Sequence, residues 1–284
     1  MSISQYSRTQ NLDDREILIE HVNRRRRCMI WKKIATFFRL IQKKDFEVIQ
    51  IFILRKISSF ILPKYRFKWP QIDWWDNVLF NQYLEKFDEI RGFNTDRRWM
   101  LSQLIRLTAK IPGDTAECGV YRGAGSYIIC KMNEKNSSPK NHHIFDSFEG
   151  VSSPGKFDGN HWEKGSLACS ESDVRKNMEE FPYIYVYKGW IPDRFSEVVD
   201  KQFSFVHIDV DLFQPTKDSL EFFYPRIEKG GIIVCDDYGS SLCPGATKAC
   251  DEFLADKPEK MLTMSGCGGF LIKGVETSSD WGKD

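Results

Sequence analysis

The stretch TAECGVYRGAGS at residues 115–126 decides how the chain is read. A short apolar run closes on Glu117, then passes through a glycine-spaced turn, Gly119, Gly123 and Gly125, into a helix start. Such strand–turn–helix junctions hold nucleotide-like ligands in α/β sheets. Glycines admit close backbone approach, and the helix N-terminus offers free N–H groups. The pattern here is E-x-G-x-x-x-G-x-x-S rather than GxGxxG, and no Walker lysine accompanies it. A nucleoside-type ligand without a pyrophosphate suits that spacing better than a dinucleotide does.

Downstream of residue 115, short apolar runs alternate with amphipathic ones. The runs predict strands at 115–119, 142–146, 183–187, 203–209, 231–236 and 268–273. Helices are expected at 125–133, 171–180, 193–199, 215–227 and 244–256. Runs that are apolar throughout, rather than alternating, suit strands covered on both faces. The fold class is therefore α/β, an open doubly wound sheet with helices on both faces. Gly266–Gly269, ahead of Phe270-Leu271-Ile272, reads as a terminal hairpin.

Upstream, the chain changes character. Residues 1–70 carry 16 Lys/Arg against 6 Asp/Glu, a balance of +10, while the whole chain is only +1. Residues 1–90 read as a basic helical extension and cover, and 91–284 as the domain that holds the site. Trp31, Ile34, Phe38 and Ile41, then Phe46, Ile49, Ile53, Ile57 and Phe60, recur at helical spacing. Four arginines, Arg24–Arg27, precede the first stripe. Two readings stay open: a helical lid packed on the catalytic domain, or a basic amphipathic segment lying on an anionic membrane. No nucleic-acid motif accompanies the arginines, so no nucleic-acid partner is expected. Trp74-Trp75 could line a pocket. No run approaches the ~20 apolar residues of a spanning helix. Met1–Glu20 lacks the apolar core of a signal peptide, and the eight cysteines form no CxxC pair. The expectation is a cytoplasmic protein, peripheral at the inner membrane face if the second reading holds, with reduced buried thiols and no zinc.

In an open parallel sheet, ligands sit at the carboxyl ends of the strands. Carboxylates cluster at those ends: Glu117, Asp146, Asp209 with Asp211, and Asp236-Asp237. Asp146 follows Glu117 by 29 residues. That is longer than the usual ~20, yet suited to accept the hydroxyls of a ribose. Asp209, Asp236 and Asp237 come from two neighbouring strand ends and form part of an octahedral oxygen set suited to Mg2+. For Asp146 and for Asp236-Asp237, a cap on the following turn is the competing reading. Asp211 would point the same way as Asp209 in a continuing strand. Its other reading is a cap for the helix that begins near Pro215.

The blocks AECGVYRGAGS, IFDSFEGV, YKGWIPDRF, HIDVDLFQPTKDSLEFFYPRIEKGGIIVCDDYG and PGATKACDEF, in this order over residues 93–273, closely resemble the macrocin O-methyltransferase (TylF/MycF) family. That resemblance implies a Rossmann-like class I methyltransferase sheet and Mg2+-dependent methylation of sugar hydroxyls with S-adenosylmethionine. It implies that Glu117, Gly119, Tyr121, Gly123 and Ser126 form the wall beside the cofactor's methionine part. Asp146 and Ser147 would form the ribose site, Gly150 would keep the DSFEG turn, and Ser170, Gly189 and Trp190 match further cofactor positions. Asp209, Asp236 and Asp237 match the metal triad. The loop Val151–Leu167 is where the family places substrate contacts, and His161 is its one histidine. The same loop could be a mobile lid with His161 on its surface. The resemblance makes a homo-oligomer an expectation, and residues 1–90 are not covered by it.

Asp209 and His161 are comparable candidates for the general base that would take the acceptor's proton, with Asp211 behind them. A sugar-containing small molecule or glycan is the expected acceptor, in polysaccharide or glycosylated natural-product biosynthesis. The alternatives are O-methylation of a small phenol or catechol, or a non-catalytic scaffold of a glycan-assembly complex.

Overall fold

The computed structural model describes residues 46–61, 77–89, 94–136 and 139–278. Arg24–Arg27, the Trp31–Ile41 stripe and Trp74-Trp75 lie outside the described residues. The chain divides into two units, residues 1–75 and 76–284. Among the described residues, the first unit contributes one helix, α1 (Phe46–Ile61). No described helix is long and apolar enough to cross a membrane.

The second unit opens with α2 (Val78–Lys86), capped by Asn77, and α3 (Thr95–Leu104). Phe80, Tyr83, Leu84 and Phe87 are buried, and the Tyr83 hydroxyl donates to the Ala124 carbonyl at 3.0 Å. Residues 78–87, which the sequence reading assigns to the extension, thus pack as part of the sheet unit. Their buried aromatics are the reason.

Seven strands form one sheet in the order β3-β2-β1-β4-β5-β7-β6. They are β1 (Asp114–Cys118), β2 (His142–Asp146), β3 (Ile184–Lys188), β4 (Phe203–Ile208), β5 (Ile227–Cys235), β6 (Leu262–Thr263) and β7 (Gly269–Ile272). β1 to β5 pair in parallel, and β7 joins β5 antiparallel with β6 beyond it as the far arm of a hairpin. The α/β class and the strand positions agree with the sequence reading to within a few residues at most ends.

Side-chain alternation along the strands sorts the core into two layers. Ala116, Cys118, Phe145, Val206, Ile208, Ile233 and Cys235 belong to one cluster, completed by Leu220 and Phe223 of α6 (Phe213–Phe223) and Ala246 and Cys250 of α7 (Pro244–Phe253). Ile144 belongs to the other, with Cys130 of α4 (Ala124–Asn133) and Val174 of α5 (Glu171–Asn177). Glu117 and His207 occupy the intervening positions of β1 and β4 and lie directly opposite each other in the parallel register. Two polar residues therefore meet inside the sheet, just below its carboxyl edge.

Two glycines of the turn after β1 are required by close approaches. A Cβ on Gly119, whose φ is +77°, would fall 1.9 Å from the Asp209 carbonyl oxygen. A Cβ on Gly125 would fall 2.0 Å from Glu117 Oε1. The glycines make room for the protein's own groups as well as for a ligand.

Candidate active site

A cleft of about 810 Å³ opens at the carboxyl ends of β1, β2, β4 and β5. That lies within the ~300–1,000 Å³ of small-molecule sites. Its two sides differ in how their charges are satisfied.

On the side of β1 and β2, the carboxylates are held. Glu117 is buried; Oε1 lies 2.7 Å from His207 Nδ1, and Oε2 accepts from the Ser126 hydroxyl. Ser126 is itself 3.0 Å from His142 Nε2, and burial drops the His142 pKa to about 4. Asp146 accepts the backbone N–H groups of Val120 (2.7 Å) and Phe148 (2.6 Å). Burial nevertheless raises its pKa, against those donors. Asp146 does cap the turn that follows it, yet it also lines the cleft with Gly119, Tyr121, Ser147, Gly150 and Trp190. Its two oxygens offer about four lone-pair sites, so the backbone donors leave room for a ribose hydroxyl.

On the side of β4 and β5, carboxylates crowd. Asp236 is the one well paired: Arg97 Nη1 donates to Oδ2 at 2.5 Å and to its carbonyl at 2.9 Å, and His207 Nε2 lies 3.4 Å from Oδ1. Burial works against the Asp236 anion, but Arg97 and His207 prevail and hold its carboxyl well below the usual range. Burial also opposes a charged His207, and the bonds to Asp236 and Glu117 overcome it, lifting its pKa to about 10. Arg98 Nη1 stands 3.6 Å from Asp209 Oδ2, while its Nε faces Glu89. The remaining three carboxyls are pushed up. Burial and the Asp236 charge raise Asp209 to about 6, partly offset by Arg98. Burial and Asp209 raise Asp211 to about 7, and burial with Asp211 raises Asp237 well above its ordinary value.

Among the described residues, Glu89, Glu117, Asp209, Asp211, Asp236 and Asp237 thus face only Arg97, Arg98 and His207 as cationic partners. Protons or a bound cation must supply the rest. The donors free to bind one are carboxylate oxygens, which suits a hard cation such as Mg2+. A ring nitrogen of His207 and oxygens of Asp209 and Asp236 lie within 4.8 Å of one another, as do oxygens of Asp211 and Asp237 with Cys243 Sγ. The expected triad is split between these two groups, and Arg97 reaches both Asp236 and, at 3.9 Å, Asp237.

Asp211 departs from both of its expectations. β4 ends at Ile208, and Asp211 turns into the left-handed region at φ 61°, its backbone N–H donating to Asp237 Oδ2 at 2.9 Å. Nor does it cap α6. Asp158, buried in the loop Val151–Leu167, accepts the Phe213 N–H at 2.6 Å and the Gly155 N–H at 2.6 Å. The loop is pinned further by the Trp162 indole, which donates to Cys243 Sγ at 3.3 Å. These contacts hold it along one side of the cleft. His161 is exposed on that side, edge-on to Trp162, and lines the cleft.

Of the residues singled out from sequence, Glu117, Gly119, Tyr121, Asp146, Ser147, Gly150, His161, Trp190, Asp209, Asp236 and Asp237 come together around this cleft. Four others stand off it. Ser126 is fully buried beneath Glu117 and supports it from behind. Gly123 is the N-cap of α4, and the space at its Cβ position is bounded by Val174 and Met178. Ser170 caps α5, accepting the Asp173 N–H at 3.1 Å. Gly189 donates its N–H to the Asp146 carbonyl at 3.0 Å. Arg97, Arg98, His207 and Asp158 were not expected. His207 sits inside the HIDVD block, opposite Glu117 in register, and that register was the available signal.

Known proteins share the sequence and fold of this domain. The family described as macrocin O-methyltransferase (TylF) matches residues 99–263. The demethyldecarbamoylnovobiocin O-methyltransferase of Streptomyces niveus is 28% identical over 173 residues, 56% of this chain and 65% of that protein. The mycinamicin III 3''-O-methyltransferase of Micromonospora griseorubida is 27% identical over 150 residues, 47% of this chain and 58% of that protein. The chain therefore spans less than two thirds of the length of these relatives. Among solved structures, the O-methyltransferase NovP superposes with a TM-score of 0.54 at 26% identity, covering 63% of this chain and 80% of that one. The calicheamicin methyltransferase CalS11 superposes with a TM-score of 0.60 at 17% identity, covering 75% and 97%, a likeness of fold alone.

Proposed function

Because the chain belongs to the macrocin O-methyltransferase family, we propose that it methylates a hydroxyl of a sugar or sugar-bearing small molecule, with S-adenosylmethionine as donor and Mg2+ at the acceptor. The observation that carries this reading is the division of one cleft into a side whose carboxylates are satisfied and a side whose carboxylates lack cations. S-adenosylmethionine would supply an electrophilic methyl on a sulfonium, and Mg2+ would lower the pKa of the acceptor hydroxyl and orient it.

The chain's own residues divide the remaining work. Asp146 holds ribose hydroxyls, supported by Ser147. Glu117, fixed by Ser126 and His207, sets the negative floor beneath the cofactor. Asp209, Asp236 and Asp237 are the residues that would hold Mg2+. His161 stands on the wall of the same cleft as a candidate to take the acceptor's proton, a role Asp209 can share only while it is not bound to the metal. Trp162 and the loop pinned by Asp158 exclude water and orient the acceptor, and orientation supplies much of the acceleration in a two-body displacement. The test is labelled methyl transfer to a panel of sugars, glycosides and catechols. Transfer confined to catechols overturns the sugar assignment.

A specific observation also supports a membrane-facing partner for the extension. Phe46, Ile53, Ile57 and Phe60 of α1 are all exposed, within a stretch whose balance is +10. An apolar stripe with basic flanks suits the surface of an anionic bilayer, where a sugar on a lipid carrier would be met. Flotation of the full chain with anionic but not neutral vesicles is expected. Absence of flotation with either removes this part.

A further inference from the structure

His207 is fully buried on β4 and groups with Asp209 and Asp236, one ring nitrogen lying within 4.8 Å of an oxygen of each. Yet it touches both sides. Nδ1 lies 2.7 Å from Glu117 Oε1 and Nε2 lies 3.4 Å from Asp236 Oδ1. A carboxyl group thus faces each ring nitrogen. The contacts continue outward at each end: Ser126 donates to the other oxygen of Glu117, and Arg97 donates to the other oxygen of Asp236.

Three features of the fold build this arrangement. The parallel register sets Glu117 opposite His207. Ile208 pairs with Cys235, so the chain leaves β5 at Asp236 on the next level up. Gly125 leaves the space, since a Cβ there would fall 3.2 Å from His207 Nδ1 as well as into Glu117. A side chain that only filled the core would need no polar partner at either end. This one has a carboxylate at each.

We infer that His207 is a positioning residue that ties the cofactor-side carboxylate Glu117 to the metal-side carboxylate Asp236, and so sets the spacing between methyl donor and acceptor. Both of its ring nitrogens are engaged by carboxylates, so it acts through Glu117 and Asp236. The inference deepens the proposed function and rests on it for the identity of the two ligands.

The two halves of the tie can be cut separately. In His207→Asn the shorter amide reaches the place of Nδ1 and keeps Glu117, but cannot reach Asp236. In His207→Gln the longer amide reaches the place of Nε2 and keeps Asp236, but leaves Glu117 without its donor. The full-length chain is titrated calorimetrically with S-adenosylhomocysteine, and separately with Mn2+ alone as the metal probe. His207→Asn is expected to bind S-adenosylhomocysteine like the unsubstituted protein and Mn2+ about tenfold more weakly, the lower end of what second-layer partners of a metal site contribute. His207→Gln is expected to show the reverse. Equal losses of both ligands in both variants, through misfolding or otherwise, would overturn the inference, as would two variants that bind both ligands normally. If the unsubstituted protein binds neither ligand, the proposed function itself fails, and that outcome is distinct from a missing split.

Discussion

The two sides of the cleft are built from the same part, an acidic residue at the end of a parallel strand, and they behave differently. At β1 and β2, Glu117 and Asp146 receive hydrogen bonds from a serine, a histidine and backbone N–H groups. At β4 and β5, only Asp236 is comparably paired, and Asp209, Asp211 and Asp237 raise one another's proton affinity. Buried charge is costly unless paired. The first side has met that cost within the fold and is ready for the ribose hydroxyls of a nucleoside-type ligand. The second leaves it for a cation to meet.

If this contrast is right, equivalent substitutions on the two sides have different consequences. The largest effect is expected from Asp237→Asn, which removes a charge from the cation-poor side. Methyl transfer should fall by ~10²–10³ in kcat, the scale of losing one electrostatic contact to the reacting centre, while S-adenosylhomocysteine affinity changes little. Asp146→Asn should do the opposite. Its affinity for S-adenosylhomocysteine should drop by roughly 10–100-fold, as for hydrogen bonds to a charged group worth ~1.5–3 kcal/mol, with Mn2+ binding retained. Comparable losses of both ligands in either variant would erase the distinction between the sides.

The smallest effect is one of pH. Asp209 and Asp211 have folded-state pKa values of about 6 and about 7, above the ~4 of a free carboxyl. Between these limits the folded chain binds more protons than the unfolded one, so metal-free stability declines as pH rises from about 4 to about 7. His207, raised to about 10, contributes fully below its unfolded value of ~6.5 and loses its contribution as pH climbs through about 10. Metal binding needs the carboxylates ionised. Added Mg2+ should therefore raise Tm at pH 7.5 and leave it nearly unchanged at pH 5, at roughly 2–4 °C per kcal/mol for a chain of this size. A shift of equal size at both pH values contradicts the crowded side.

The sequence made several strand ends legible because the apolar runs of β2, β4 and β5 stop abruptly on an acidic residue, as Phe145 stops before Asp146, Ile208 before Asp209 and Cys235 before Asp236. What it concealed are the residues that answer those acids from elsewhere. Arg97 and Arg98 lie near the start of α3, and helical spacing does not say that both turn inward across the sheet edge. Asp158 looks like an ordinary loop residue until the N-terminus of α6, for which the sequence offers Asp211, is found capped from a distance. Asp211 was misjudged because a strand was extended past Ile208, where the backbone instead turns left-handed. Ser126 and Gly123 were drawn onto the cleft by their place in the motif, although one supports Glu117 from behind and the other shapes the helix start.

The division of the cleft is tested most directly by measuring labelled methyl transfer and S-adenosylhomocysteine binding on the same sample, in EDTA and after Mg2+ is restored. Transfer should stop in EDTA and return with Mg2+, while S-adenosylhomocysteine affinity stays constant throughout. Full-rate transfer in EDTA, or cofactor binding that disappears with the metal, contradicts it.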